Sequence, residues 1–249
     1  MSNAPLQTNE SLEVSVRGHQ VHLRMEGEGD PLLLLNGLTR PLSSWGPFIE
    51  SLGSRTVVSF DAPGVGESPA PLLPLSIAQL ADVTAAVLDE IGLDRVDVLG
   101  YSHGGAVAQQ FAAHYPERVR RLVLAATSCG AGSTLAGWDT HDGVEVLMNG
   151  IFRANALSTL WRTMAISTWS SIPFLGAIAA PTLVVGGSED RVAPLANSQV
   201  LASRIPNATL VELSEGHDLQ QPEAAEKLAR VVEKFLAREA LMTSEHADL

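Results

Sequence analysis

Residues 96–113 run Val96-Asp97-Val98-Leu99-Gly100-Tyr101-Ser102-His103-Gly104-Gly105 and then AVAQQFAA to Ala113. Val96 to Leu99 is a short apolar run of the kind that forms a strand buried on both faces, and Gly105 to Ala113 has the spacing of a helix. Between them, Gly100 to Gly104 takes the form G-x-S-x-G, so Ser102 falls on a sharp strand-to-helix turn. Such a turn strains the backbone and lifts the serine oxygen out of the sheet, while Gly100 and Gly104 leave space where a side chain would collide. The pentapeptide alone arises by chance in glycine-rich loops; the flanking strand and helix give it meaning.

The same alternation extends in both directions. Leu12 to Val16 and Val21 to Met25 alternate apolar and polar residues about Gly18, predicting an antiparallel hairpin that opens the sheet. Pro31 to Leu35, Thr56 to Phe60, Leu122 to Ala125 and Thr182 to Val185 are further short apolar runs, read as central parallel strands. Helical patterns lie at Ile77 to Ile91 and Ala196 to Ile205, and a final amphipathic helix from Glu223 to Arg238 places Leu228, Val231, Val232 and Phe235 on one face. Strand and helix therefore alternate as in an α/β fold with a mostly parallel, doubly wound sheet. Glu239 to Leu249 reads as a frayed acidic tail.

One stretch breaks the rhythm. From about Cys129 to Ala180 the chain carries Trp138, Met148, Ile151, Phe152, Leu157, Leu160, Trp161, Met164, Trp169, Phe174 and Leu175 without a clear strand. It is read as a short helical lid, residues 129–180, inserted into a core formed by residues 1–128 and 181–249. Its aromatic and methionine content suits a small satellite core, and packing is the plainer explanation. The added expectation is that Trp161, Met164 and Trp169 face substrate.

A serine hydroxyl is a poor nucleophile at neutral pH. It needs an imidazole to take its proton and a carboxylate to orient that imidazole. Asp190 follows the strand Thr182 to Val185, and His217 follows the strand-like segment Ala208 to Leu213, each at the edge where open α/β sheets place ligand chemistry. The chain order Ser102, Asp190, His217 differs from those of the two common unrelated serine-protease folds. Glu189 competes with Asp190, but Asp190 has the expected spacing to Pro194. Asp218 is expected to be solvated or to cap the following helix. His19, His22, His114, His141 and His246 lack a post-strand loop and read as surface or packing residues. For the oxyanion of a tetrahedral intermediate, the His103 amide supplies one donor and the Asn36-Gly37-Leu38-Thr39 loop the other, with Leu38 preferred over Thr39 and Gly37 permitting the turn. A simple tight turn is the competing reading of Asn36-Gly37.

Bulk composition bounds what this constellation serves. The 249 residues are 45% hydrophobic and 18% charged, enough to bury one large core. A net charge of −12 opposes binding to a polyanion, so nucleic acid is not an expected partner. Cys129 is the single cysteine, excluding an intramolecular disulfide and any cysteine metal cluster, and a reducing cytoplasm fits. No cofactor and no metal are expected. The polar N-terminus and the absence of an apolar run near the ~20 residues of a bilayer span disfavour secretion and stable membrane insertion.

With these residues assembled, the chain resembles the α/β-hydrolase superfamily over nearly its whole length, Asp61-Ala62-Pro63-Gly64-Val65-Gly66-Glu67-Ser68 being similar to its D-x-P-G-x-G-x-S signature. More narrowly, Leu34 to Gly37, Asp61 to Ser68, Ala106 to Phe111, Tyr115 to Thr127 and Ile205 to Ala208 resemble the intracellular medium-chain-length polyhydroxyalkanoate depolymerases. Thr168 to Pro173 looks like part of that family's lid. The resemblance implies Ser102 as nucleophile, Asp190 as acid and His217 as base. Two departures bear on substrate: a shorter lid, and His103 where the family pattern has tryptophan.

The expectation is hydrolysis of a small-molecule ester with an apolar acyl part, through an acyl-Ser102 intermediate, with 3-hydroxyalkanoate esters as candidates. A cofactor-free haloperoxidase-like or carbon–carbon bond hydrolase activity is the alternative within the fold. A non-catalytic ligand receptor is a third reading, against which the complete chemical set argues.

Overall fold

The computed structural model describes residues 10–131, 144, 145, 148 and 155–237. Eight strands form one sheet: β1 (Glu10–Val16), β2 (His19–Glu26), β3 (Pro31–Leu35), β4 (Thr56–Phe60), β5 (Val96–Tyr101), β6 (Val119–Ala125), β7 (Thr182–Gly187) and β8 (Ala208–Leu213). Their order is β1-β2-β4-β3-β5-β6-β7-β8. The hairpin β1–β2 and the pair β2–β4 are antiparallel, and every pairing from β4 to β8 is parallel. The architecture is thus the mostly parallel α/β sheet expected from the alternation of apolar runs and helical patterns.

Consecutive side chains of a strand point to opposite faces, and the core divides accordingly. Leu33 and Leu35 of β3, Val98 of β5 and Leu122 and Leu124 of β6 enter one cluster. Leu32 and Leu34, Leu99, Val123 and Ala125 enter the other. The first cluster is covered by α2 (Ile77–Glu90), α3 (His103–His114) and α5 (Leu195–Arg204). The second is covered by α1 (Gly46–Glu50) and α6 (Pro222–Leu236). Each fully buried Leu or Val contributes about 1.5–3 kcal/mol of transfer free energy, so both faces must be covered.

Helix ends follow local chemistry. In α2, Ser76 and Gln79 form a reciprocal capping box, each side chain meeting the other's backbone N–H. Pro222 occupies the first turn of α6, where its missing N–H costs nothing. The expected inner face of α6 is shifted: Leu228 and Val232 are buried with Ala224, Ala225, Ala229 and Leu236, while Val231 and Phe235 are only half-buried at the rim. The helix α1, with Phe48 and the preceding Trp45 fully buried, has no signal in the sequence pattern because five residues are too few for a helical period.

The segment between β6 and β7 contains α4 (Ala156–Thr168), capped by Asn155, whose side chain accepts from the Ser158 N–H. Its base is tied down by a bridge between Gly130 and Ser170 and by a 3-10 turn at Leu175–Ala177. Trp138, Ile151, Phe152 and the acidic tail lie outside the described residues. Among those described, no helix is long and apolar enough to cross a membrane.

At the N-terminal end of the sheet, Asp97 of β5 is fully buried among three arginines. It accepts from Arg120 Nε and Nη2 at 2.9 and 2.8 Å and from Arg55 Nη1 at 3.3 Å, with Arg121 Nη1 at 3.7 Å. Hydrogen bonding to Asp97 raises the Arg120 pKa above its ordinary value. Removing one member of a buried ionic cluster leaves uncompensated charge and typically costs ~3–5 kcal/mol. Asp97→Ala is therefore expected to lower the thermal midpoint by roughly 6–20 °C for a chain of this size; a calorimetric scan within 2 °C of wild type would show that the cluster carries no stability.

Candidate active site

The sheet delivers three loops to one rim. Ser102 follows β5, Asp190 follows β7 and His217 follows β8, all at carboxyl ends of parallel strands on one side of the sheet's centre. Ser102 Oγ lies 3.0 Å from His217 Nε2, and His217 Nδ1 lies 2.9 Å from Asp190 Oδ2. The other Asp190 oxygen, Oδ1, accepts from the backbone N–H groups of Val192 and Ala193, both at 2.8 Å. The carboxylate is fully buried and the imidazole is 11% exposed. Glu189, the rival carboxylate, is exposed.

Ser102 adopts φ 53° and ψ −118°, a left-handed backbone that a serine takes only under compulsion. The compulsion is visible. Ser102 donates its N–H to the Ala125 carbonyl at 2.9 Å, and its own carbonyl accepts from Thr127 Oγ1 at 2.7 Å. A Cβ on Gly104 would stand 2.1 Å from the Leu35 carbonyl oxygen, and one on Gly100 would stand 2.6 Å from the Ala108 methyl. The helix α3 begins directly at His103, earlier than the expected start near Gly105, because these glycines let it pack against β3 without clearance.

As the first residue of α3, His103 has a backbone N–H without an intrahelical partner, at the positive end of the helix dipole. Leu38 is buried, and its N–H donates to no other described residue. Gly37 does not have a positive φ, so it is not there to permit a turn. Its missing side chain makes room for Tyr101, whose ring would lie 3.2 Å from a Cβ at that position. The Asn36 side chain fixes the loop: Oδ1 accepts from the Gly37 N–H at 2.8 Å and from Gln220 Nε2 at 2.9 Å, while Nδ2 donates to the Pro41 carbonyl at 2.8 Å.

Tyr101 and Gln220 were not singled out by sequence reasoning. Tyr101 Oη donates to the His217 carbonyl at 2.9 Å, its ring lies 5.6 Å from the imidazole, and burial pushes its phenol above the ordinary value. It occupies a variable position of the G-x-S-x-G pattern, which carries no signal of its own. Asp218 does not cap α6. It accepts from Arg40 at 2.5 Å and from the Gln220 N–H at 3.2 Å. Burial alone would raise its carboxyl, but hydrogen bonds from Gln221 and Arg40 bring it below the ordinary range.

Two cavities meet at the Gly37–Arg40 loop. An open groove of about 1040 Å³ contains Ser102, His217, Leu38 and Thr39 and runs toward Glu145 and Glu223. A small cavity of about 20 Å³ lies on the other side of the loop, between Leu35, Phe60, Leu80, Val107 and Gly104, and is walled by Arg162 of α4. Arg162 is 6% exposed, and burial lowers its guanidinium to about 10. Arg162 Nη2 lies 3.1 Å from His103 Nδ1, and burial, with the adjacent Arg162 charge, pushes the His103 imidazole well below its ordinary pKa. Of Trp161, Met164 and Trp169, expected from the sequence to face substrate, none lines either cavity. Met164 is 56% exposed, Trp161 is half-buried, and Trp169 packs on Phe174 while donating from Nε1 to Gln110 Oε1 at 2.7 Å.

The comparisons with known proteins agree with the fold. Residues 30–165 match the family model described as alpha/beta hydrolase fold. The chain is 36% identical to a poly(3-hydroxyalkanoate) depolymerase of Ectopseudomonas oleovorans, over 93% of this chain and 90% of that protein. It is 32% identical to a 2-hydroxymuconate semialdehyde hydrolase of Pseudomonas putida, over 94% of this chain and 97% of that one. Among solved structures, the enol-lactonase of Burkholderia xenovorans LB400 superposes with a TM-score of 0.77 at 25% identity, covering 91% of this chain and all of the other. With a parallel sheet, an elbow serine after β5 and relatives of this kind along nearly its full length, the chain belongs to the α/β-hydrolase fold family.

Proposed function

We propose that the protein is a serine hydrolase that cleaves carboxylic esters with an apolar acyl chain, 3-hydroxyalkanoate esters among them. The observation that carries this reading is the continuous hydrogen-bonded line Ser102 Oγ, His217 Nε2, His217 Nδ1, Asp190 Oδ2, at 3.0 and 2.9 Å. The identity to a protein named as a poly(3-hydroxyalkanoate) depolymerase supports the hydroxyalkanoate preference.

The chemistry follows from the positions. His217 Nε2 takes the Ser102 proton as Oγ attacks the ester carbonyl carbon, and the carbonyl oxygen becomes an oxyanion received by the amides of His103 and Leu38. Asp190 holds the imidazole tautomer and stabilises the imidazolium. The carbon–oxygen bond to the alcohol then breaks, and His217 returns its proton to the departing oxygen. Water, deprotonated by the same nitrogen, attacks the acyl carbon and releases Ser102. Carbon–carbon bond hydrolysis is a second reading, favoured by the 32% identity to a semialdehyde hydrolase over nearly the full chain.

A panel of p-nitrophenyl esters with acyl chains from two to twelve carbons tests the first reading. Wild type is expected to turn them over, and Ser102→Ala to lose on the order of 10⁴–10⁶-fold in kcat. Absence of turnover across the panel refutes it. Asn36→Ala loosens the Leu38 loop and is expected to lower kcat roughly 10- to 100-fold with little change in KM, because a misaligned oxyanion donor matters mainly in the transition state. An effect confined to KM would mean that the loop serves ground-state binding instead.

A further inference from the structure

The small cavity beside the Gly37–Arg40 loop carries an unanswered charge. It is walled by Arg162 and by the apolar side chains of Leu35, Phe60, Leu80 and Val107, and none of its lining residues is acidic. Arg40 also borders it, but the Arg40 charge is met by Asp218. Arg162 is buried, and among the described residues no carboxylate acts on it. Its Nε and Nη1 have no hydrogen-bond partner there either. Its Nη2 donates to His103 Nδ1, which leaves the imidazole proton on Nε2, a further buried donor without an acceptor. Ser158 Oγ, one turn earlier on α4, is also buried and unpartnered.

These groups can all donate, and they gather around one guanidinium. Core packing does not produce such a set, because buried polar groups are almost always hydrogen-bonded and a guanidinium withdrawn from water needs a counter-charge. The volume of about 20 Å³ exceeds the ~10–15 Å³ that one water requires, so the cavity takes a monatomic ligand and is too small for a carboxylate or a phosphate. Size and charge together select the occupant. A water would fill the space but leave the charge unbalanced, and its own hydrogens would face a wall of donors. A halide accepts on every side and brings one negative charge, and its bonds from a cation are of the strong, charge-assisted kind. The apolar remainder of the wall favours the weakly hydrated chloride and bromide over fluoride.

We propose that this cavity is a binding site for a single halide ion, chloride under ordinary conditions, held by Arg162. The ion supplies an acceptor to the Arg162 donors that lack one, while Nη2 stays on His103, so that α4 is fastened to the start of α3. Neither Ser102 nor His217 lines the cavity, and the site stands apart from the ester-hydrolase reading.

Thermal unfolding tests it. Wild type is dialysed into sodium gluconate, an anion too large for the cavity, and the gluconate is then replaced stepwise by chloride or bromide at constant ionic strength. Either halide is expected to raise Tm saturably, by roughly 5–10 °C once it exceeds its Kd ~100-fold. Arg162→Met should lose that shift. A crystal soaked in sodium bromide should show an anomalous scattering peak within hydrogen-bonding distance of the Arg162 guanidinium. A wild-type Tm that does not change when halide replaces gluconate overturns the proposal and assigns the cavity to water. An equal shift in Arg162→Met, or bromide peaks confined to the molecular surface, an adventitious ion only, overturns it as well. If Arg162→Met does not fold, the wild-type bromide peak decides: at Arg162 it upholds the site, and its absence there refutes it.

Discussion

The left-handed backbone of Ser102 is the constraint around which the molecule is built. A non-glycine residue in such a conformation costs about 1–3 kcal/mol, and it persists only where its surroundings leave no alternative. Here the surroundings are two neighbouring strands and a helix. The Ala125 carbonyl takes the serine N–H, Thr127 holds the serine carbonyl, and α3 starts at the next residue, seated on β3 through Gly104. The outcome is a hydroxyl raised above the sheet edge beside an amide that has no other partner among the described residues. The candidate nucleophile and the candidate oxyanion donor are thus products of one backbone turn.

A second layer keeps the remaining parts in register with that turn. Tyr101 is the last residue of β5 and reaches sideways to the His217 carbonyl, so the loop after β8 is anchored to the strand that delivers Ser102. Asn36 joins the loop after β3 to Gln220, just before α6. These contacts span 116 and 184 residues of sequence, and both join segments that strand order brings to one edge of the sheet. Positioning to within a fraction of an ångström therefore depends on strand order as much as on the loops that carry the candidate site.

The parallel sheet and the three convergent residues were legible in the sequence because each is announced by a local pattern: an apolar run, a turn with glycine, a polar residue just beyond it. Asp190 separated from Glu189 by spacing alone, and the structure buries the first while exposing the second. Other features have no local pattern. The helix α1 is too short to show a period, and Tyr101 owes its role to a contact 116 positions away. Asn36-Gly37 has the form of a turn dipeptide, whereas the missing side chain of Gly37 accommodates the Tyr101 ring, which no dipeptide preference encodes. Between β6 and β7 the aromatic and methionine residues stand out in the sequence as apolar surface. The side chain that reaches the cavity wall is instead Arg162, which a hydropathy reading assigns to solvent.

The buried ionic cluster at Asp97 and the elbow at Ser102 occupy opposite ends of one strand. Five residues of extended chain set them roughly 16 Å apart, beyond the ~7–10 Å within which energetic effects of substitutions usually interact. The strand thus works as a spacer between an anchored base and a reactive crown. Changes that strengthen the base should add to changes in the crown rather than compete with them, so the chain can be hardened and retuned as two independent problems.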